Sequence, residues 1–106
     1  MRVKMIDKEE KLSSIPNIED HHYLMFNKEF EPSSCGDAME FILARNLMRK
    51  DRPKMIKMII NSPGGEIGSA FALIDTIKGS KIPVYTYGLG EIASCGLMTF
   101  IAGEKG

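Results

Sequence analysis

Apolar residues along this chain fall into two patterns, short continuous runs and longer stretches in which they recur every three or four positions. The short runs contain β-branched and aromatic residues and predict strands over residues 22–27, 55–60 and 83–87. The longer stretches predict amphipathic helices that begin at Ser33 or Ser34 as N-cap, at 67 and at 94, and that end before 51–53, at 78 and at 102. Strands and helices therefore alternate, which predicts an α/β fold with a mainly parallel sheet and right-handed crossovers.

The run over residues 55–60 is almost entirely apolar. Strands of this kind are typical of a sheet covered by helices on both faces, so we expect this strand to be buried on both sides. Residues 1–20 are polar with mixed charge and predict an arm or loop that precedes a domain over residues 21–106.

Composition narrows the choice of function. The 106 residues include 43% hydrophobic and 26% charged residues, as in an ordinary globular domain. The formal net charge is zero, so nothing favours binding to nucleic acid or to an anionic membrane. No apolar run reaches the roughly 18 residues of a membrane span. Cys35 and Cys95 do not form a disulfide framework, and together with the lack of an N-terminal apolar segment they predict a cytoplasmic protein.

Two small-residue turns carry the candidate chemistry. Gly64 and Gly65 follow a predicted strand, and Ser94 lies between small residues where a helix begins. A hydroxyl and free backbone N–H groups are the parts of a nucleophile with an oxyanion hole. Two simpler interpretations stay open: Ser94 as an N-cap and the glycines as a plain turn. Ile92 stands where a G-x-S-x-G motif needs its first glycine, so a nucleophile elbow of the α/β-hydrolase type is not supported.

The remaining chemically active residues give weaker signals. His21 and His22 are the only histidines, and no further ligands accompany them, so we expect surface or strand-edge roles and no metal or cofactor. Cys35 is placed at a helix start, where its pKa could be lowered. Cys95 is expected to pack as a small apolar residue.

Five short motifs follow one another in a fixed order. They are I-N-S-P-G-G at 60–65, I-D-T at 74–76, P-V-Y-T-Y-G at 83–88, E-I-A-S-C-G at 91–96 and I-A-G-E-K-G at 101–106. Their order and spacing resemble those of the ClpP family, the proteolytic subunits of the ATP-dependent Clp protease. The resemblance covers about residues 22–106 and implies a crotonase-like fold of repeated strand–helix units.

The resemblance also implies a role for individual residues. Ser94 would be the nucleophile of a serine endopeptidase, and the N–H groups of Gly65 and Cys95 would form the oxyanion hole. Gly64, Gly65, Glu66 and Ile67 would continue as extended backbone that binds the peptide substrate as an added strand, with the Glu66 side chain in solvent. Cys95 departs from the family, in which methionine is usual at this position.

Family members also carry a histidine and an aspartate after the serine, and this sequence has no histidine there. We therefore expect residues 21–106 to be the N-terminal part of a ClpP-like domain that is incomplete at its C-terminal end. The implied substrate is unfolded polypeptide, and the implied assembly is a homo-oligomeric ring served by a Clp ATPase. Residues 1–20 do not resemble the family's axial loop, so the resemblance does not extend to the segment implied in docking to that ATPase.

Two alternatives remain. Without histidine and aspartate the chain would be a catalytically incomplete fragment or an interaction protein. An acyl-thioester enzyme of the crotonase type would use a similar oxyanion hole without Ser94, but the pair of motifs around residues 60–65 and 91–96 favours the protease.

Overall fold

The computed structural model describes residues 21–104, in which three strands alternate with three helices. The elements are β1 (Tyr23–Phe26), α1 (Pro32–Asn46), β2 (Ile56–Ser62), α2 (Ile67–Gly79), β3 (Val84–Ile92) and α3 (Cys95–Ala102). The strands form one parallel sheet in the order β1-β2-β3. The predicted α/β class with a parallel sheet is therefore confirmed. The predicted arm over residues 1–20 lies outside the described residues, as do Lys105 and Gly106.

The core lies between one face of the sheet and the helices. Alternate residues of β2 point toward the helices, and Ile56, Met58 and Ile60 are fully buried there. Side chains from all three helices join them in one cluster, including Ala38, Ile42, Ala70, Leu73, Ile77 and Cys95. Burying each large apolar side chain stabilises the fold by about 1.5–3 kcal/mol, so this face fixes the register of the sheet.

The other face of the sheet is more open. Lys57 and Ile59 of β2 are only partly buried. Met25 and Tyr87, which pair with Ile59 from the two neighbouring strands, are 45% and 46% exposed. The prediction that β2 is buried on both faces is therefore wrong for residues 21–104. The reason is that all three helices contribute buried apolar residues to the cluster on the opposite face.

Helix α1 begins two or three residues earlier than predicted. Its N-cap is Glu31 and not Ser33 or Ser34, and Pro32 occupies the first helical position, where a missing N–H is tolerated. Ser34 still contributes to capping, because its Oγ accepts the Glu31 N–H at 3.0 Å from inside the first turn.

Strand β3 is longer than predicted and contains a bulge. The strand was predicted over residues 83–87, but it runs from Val84 to Ile92. Ile60 pairs with Gly88 and Ser62 pairs with Ile92, so two steps along β2 face four along β3. Residues 89–91 therefore bulge out of the ladder, and Gly90 takes a φ of 73° that favours glycine. The bulge directly precedes the turn that contains Ser94.

Candidate active site

Ser94 lies between the end of β3 and the first turn of α3, with its side chain exposed. It occupies the N-cap position, but its hydroxyl makes no capping hydrogen bond. Its φ of 51° and ψ of −115° lie outside the usual regions for serine, at a cost of order 1–3 kcal/mol. The simple N-cap interpretation therefore does not account for this residue, because the side chain is left available and the backbone is strained.

The first glycine turn closes directly against Ser94. A Cβ built on Gly64 would lie 3.0 Å from Ser94 Cβ and 3.5 Å from Ser94 Oγ. Gly64 has a φ of 111°, and its N–H donates to Ser62 Oγ at 3.1 Å. Only glycine satisfies both the backbone angle and the close approach, so the sequence brings the two turns into contact here.

Gly65 is held by pairing with Phe30 on one side. The Phe30 N–H donates to the Gly64 carbonyl, and the Glu66 N–H donates to the Phe30 carbonyl, each at 2.8 Å. Successive peptide groups of an extended segment point to opposite edges, so the Gly65 N–H faces away from Phe30. No acceptor is found for this N–H within residues 21–104.

Cys95 supplies a second donor beside Ser94, because its N–H has no acceptor within the described part of the chain. As the first residue of α3, it has an N–H with no partner inside the helix. Its Sγ lies 3.5 Å from the Gly65 carbonyl oxygen, which places the Gly65 peptide next to the start of α3. The helix N-terminus favours negative charge at this point. The structure thus brings Gly64, Gly65, Ser94 and Cys95 together.

Glu66 and Ile67 are placed differently from the prediction. Glu66 is the N-cap of α2 and is still extended, and its Oε1 accepts a hydrogen bond from Ser69 Oγ. Ile67 is already the first helical residue, so the prediction of extended backbone through Ile67 is wrong by one position. The extended segment ends at Glu66 because the glycine turn leads straight into α2.

Both histidines lie at the other end of the sheet. The carbonyl of His22 accepts the Lys57 N–H near the start of β2, whereas the turn before Ser94 bonds to Ser62 at its end. The five residue steps from Lys57 to Ser62 span roughly 17 Å at about 3.3 Å each. Neither histidine therefore reaches the Ser94 hydroxyl.

Two other features are absent from residues 21–104. No group of three or more metal-ligating side chains occurs there. No helix in that range is long and apolar enough to cross a membrane.

The two cysteines are buried free thiols. The expectation of a lowered pKa at Cys35 is wrong, because burial raises the pKa of this thiol above its ordinary value and outweighs the hydrogen bonds from Ser34 and Glu31. Cys95 is fully buried within the core cluster, as expected of a small apolar residue.

Two residues of this region were missed from the sequence. Phe30 pairs with the Gly65 segment, and Asn61 binds the bulge of β3 through its side chain. Their partners lie 30 or more residues away along the chain, so no local pattern marks them. The asparagine that follows the apolar run of β2 was the one available signal.

Comparison with known proteins places this arrangement in context. Residues 7–106 match the family model described as "Clp protease". The chain is 42% identical over 52 residues to the "ATP-dependent Clp protease proteolytic subunit 2" of Treponema pallidum, covering 49% of this chain and 26% of that protein. It is 47% identical over 60 residues to the "ATP-dependent Clp protease proteolytic subunit 1" of Chlamydia felis, covering 57% and 30%. The matched region is thus less than a third of either relative.

A solved structure shares the fold. The chain superposes on a ClpP1 mutant from Listeria monocytogenes with a TM-score of 0.74 and 26% sequence identity. The superposition covers 83% of this chain and 50% of that protein. The strand–helix arrangement of residues 21–104 is therefore that of the ClpP fold, which is of the crotonase type.

Proposed function

This chain belongs to the Clp protease family, and on this basis we propose that it supplies the nucleophile and oxyanion hole of a serine endopeptidase that hydrolyses peptide bonds. The observation that carries the proposal is the geometry of Ser94. Its hydroxyl is exposed and makes no capping bond, its backbone is strained, and the N–H groups of Gly65 and Cys95, in the turns that meet at Ser94, have no acceptor within residues 21–104. The two relatives described above are named as proteolytic subunits.

The chemistry follows from these groups. Ser94 Oγ attacks the carbonyl carbon of the substrate peptide, and the carbonyl oxygen becomes an oxyanion that accepts hydrogen bonds from the Gly65 and Cys95 N–H groups. Such donors are worth about 2.7–4 kcal/mol each in comparable enzymes. The amine product leaves with a proton, and water then attacks the acyl-enzyme and regenerates the serine.

A general base must take the proton from Ser94 Oγ. His21 and His22 are too far away, so we assign this role to a histidine from outside residues 21–104, oriented by a carboxylate as in a Ser-His-Asp triad. If no such base exists in the working protein, the alternative of a catalytically incomplete fragment or interaction protein takes the place of the peptidase.

The substrate would bind along the extended segment of Gly64, Gly65 and Glu66. One edge of this segment is occupied by Phe30, so an extended peptide would pair with the opposite edge, where the Gly65 N–H points. Main-chain pairing of this kind tolerates many side chains and fits unfolded polypeptide as the substrate class.

Assembly and location are part of the same proposal. The open face of the sheet and the exposed Leu89 and Tyr87 favour packing against further protein, as in a homo-oligomeric ring that works with a Clp ATPase. The two free, buried thiols fit the reducing cytoplasm.

The test replaces Ser94 with alanine in the native gene product, purified as the cell assembles it. We expect cleavage of a fluorogenic peptide to fall by a factor on the order of 10³ or more, and labelling by a fluorophosphonate probe to disappear. The matched control is Ser33→Ala, an exposed serine on α1 whose hydroxyl donates to Glu31 Oε1, and it should leave both readouts unchanged. Cleavage that survives in Ser94→Ala would reject the nucleophile, and a wild-type protein that neither cleaves nor labels would favour the non-catalytic alternative.

A further inference from the structure

The bulge of β3 is held by a side chain and not by the backbone of its neighbour. Between Gly88 and Ile92 the main chain of β3 leaves the ladder of β2. The Glu91 N–H in this bulge donates instead to Asn61 Oδ1 at 2.8 Å. The side chain of Asn61 thus substitutes for a main-chain partner at the place where the two strands lose register.

Asn61 is itself fixed from two other directions. Its Nδ2 donates to Asn27 Oδ1 at 2.8 Å, just beyond the end of β1. Its amide also lies against Gly90, where an added Cβ would be 2.7 Å from Asn61 Oδ1 and 3.0 Å from Cγ. The positive φ of Gly90 turns the bulge toward this amide. Asn61 therefore ties together the carboxyl ends of all three strands.

This tie connects the two turns of the site. Asn61 lies three residues before Gly64 along the backbone, and its side chain holds Glu91, three residues before Ser94. Between these points the main chains are linked by the pairing of Ser62 with Ile92 and by the bond from the Ala93 N–H to the Ser62 carbonyl at 3.1 Å. A residue with strained backbone, such as Ser94, keeps its conformation only while the surroundings determine it.

We propose that Asn61 is a positioning residue that, by holding the bulge of β3, sets the placement of Ser94 relative to the Gly64–Gly65 turn. The inference rests on the proposed function, since placement matters only if Ser94 reacts. The hydrogen bonds of the Asn61 side chain go to Asn27 and Glu91 and not to the nucleophile or the oxyanion donors, so it acts through the backbone of residues 91–93.

The test compares three variants in the native gene product. Asn61→Ala removes both side-chain bonds, and we expect kcat and the rate of fluorophosphonate labelling to fall on the order of 10- to 100-fold, as small misplacements of reacting groups do, with KM little changed. Asn61→Asp keeps an oxygen for the Glu91 N–H, so its kcat and labelling rate should stay within about threefold of the wild-type values. That change is smaller than the roughly 10- to 100-fold fall expected for Asn61→Ala. Asn27→Ala removes only the second link and should have a small effect.

Amide hydrogen exchange gives a readout that does not depend on activity. In Asn61→Ala we expect the Glu91 amide to lose protection and the amide chemical shifts of Ala93 and Ser94 to move, whereas Asn61→Asp should retain both. Wild-type shifts at Ala93 and Ser94 in Asn61→Ala would overturn the proposal, as would unchanged kcat in an active protein. Ser94→Ala separates the two hypotheses: if it reacts like the wild type, the proposed function fails, and the exchange data then decide the role of Asn61 alone.

Discussion

Replacing Gly65 with alanine tests whether the glycine turn is built for its position beside Ser94. Gly65 has a φ of 147°, and a Cβ there would lie 2.7 Å from the Phe30 nitrogen and 2.9 Å from the Phe30 carbonyl carbon. Both neighbours are backbone atoms that cannot rotate away. The variant must therefore break the pairing with Phe30, turn the Gly65 peptide, or do both.

The magnitude follows from the bonds at risk. Two backbone hydrogen bonds of 2.8 Å join Phe30 to this segment, and each contributes about 0.5–1.5 kcal/mol. An alanine that stays at positive φ adds about 1–3 kcal/mol of strain. We expect the free energy of unfolding to fall by about 2–6 kcal/mol. A turned peptide also removes one oxyanion donor, which lowers the cleavage rate by about 10²–10³.

The assay is urea unfolding followed by circular dichroism, with peptide cleavage measured on the same samples. Gly36→Ala is the matched control, because Gly36 lies within α1 and a Cβ there meets nothing within 4 Å. Alanine in a helix should stabilise the protein by about 0.5–1 kcal/mol. A Gly65→Ala protein as stable and as active as the wild type would refute the reasoning.

Three further predictions concern the rest of the chain. Burial raises the pKa of the Cys35 thiol above its ordinary value of 9.0, so the unfolded thiol ionises first as pH rises; unfolding in urea should show stability that is full below pH 9 and declines above it, and Cys35→Ala should remove that decline. Thr86→Val removes the bond from Thr86 Oγ1 to the Phe100 carbonyl at 2.6 Å and should lower the free energy of unfolding by about 1 kcal/mol, whereas Thr86→Ser should not. Residues 1–106 expressed alone should self-associate through exposed apolar side chains such as Tyr87 and Leu89; a sharp monomer peak with a cooperative melt would contradict this.

Local patterns were sufficient for the type and order of the elements. Short apolar runs located the three strands and apolar periodicity located the three helices of residues 21–104, because every element contributes buried residues to a shared core. The ends were less well predicted where long-range pairing decides them. The predicted strand over residues 83–87 stopped short, because pairing of Ile92 with Ser62 extends β3 beyond it.

In the candidate site, too, features set by local motifs were predicted and features set by long-range pairing were not. The motifs allowed the contact between the Gly64 turn and Ser94 to be expected, since both turns follow neighbouring strands. The roles of Phe30 and Asn61 were not predicted, because they depend on register and on a bulge that pairing creates, and a polar residue after an apolar run does not specify such a role. The burial that raises the pKa of Cys35 is likewise a property of the packed core and not of its position at a helix start.

The strained backbone of Ser94 explains why these long-range contacts are needed. A φ of 51° at serine costs of order 1–3 kcal/mol, comparable to the contribution of one or two hydrogen bonds. The bonds from Ala93 to Ser62 and from Glu91 to Asn61 precede the strained residue, and the bond from the Met98 N–H to the Ser94 carbonyl follows it. Together they can offset the strain, and none of them uses the Ser94 hydroxyl. The fold thus fixes the backbone of this residue while leaving its side chain available for reaction.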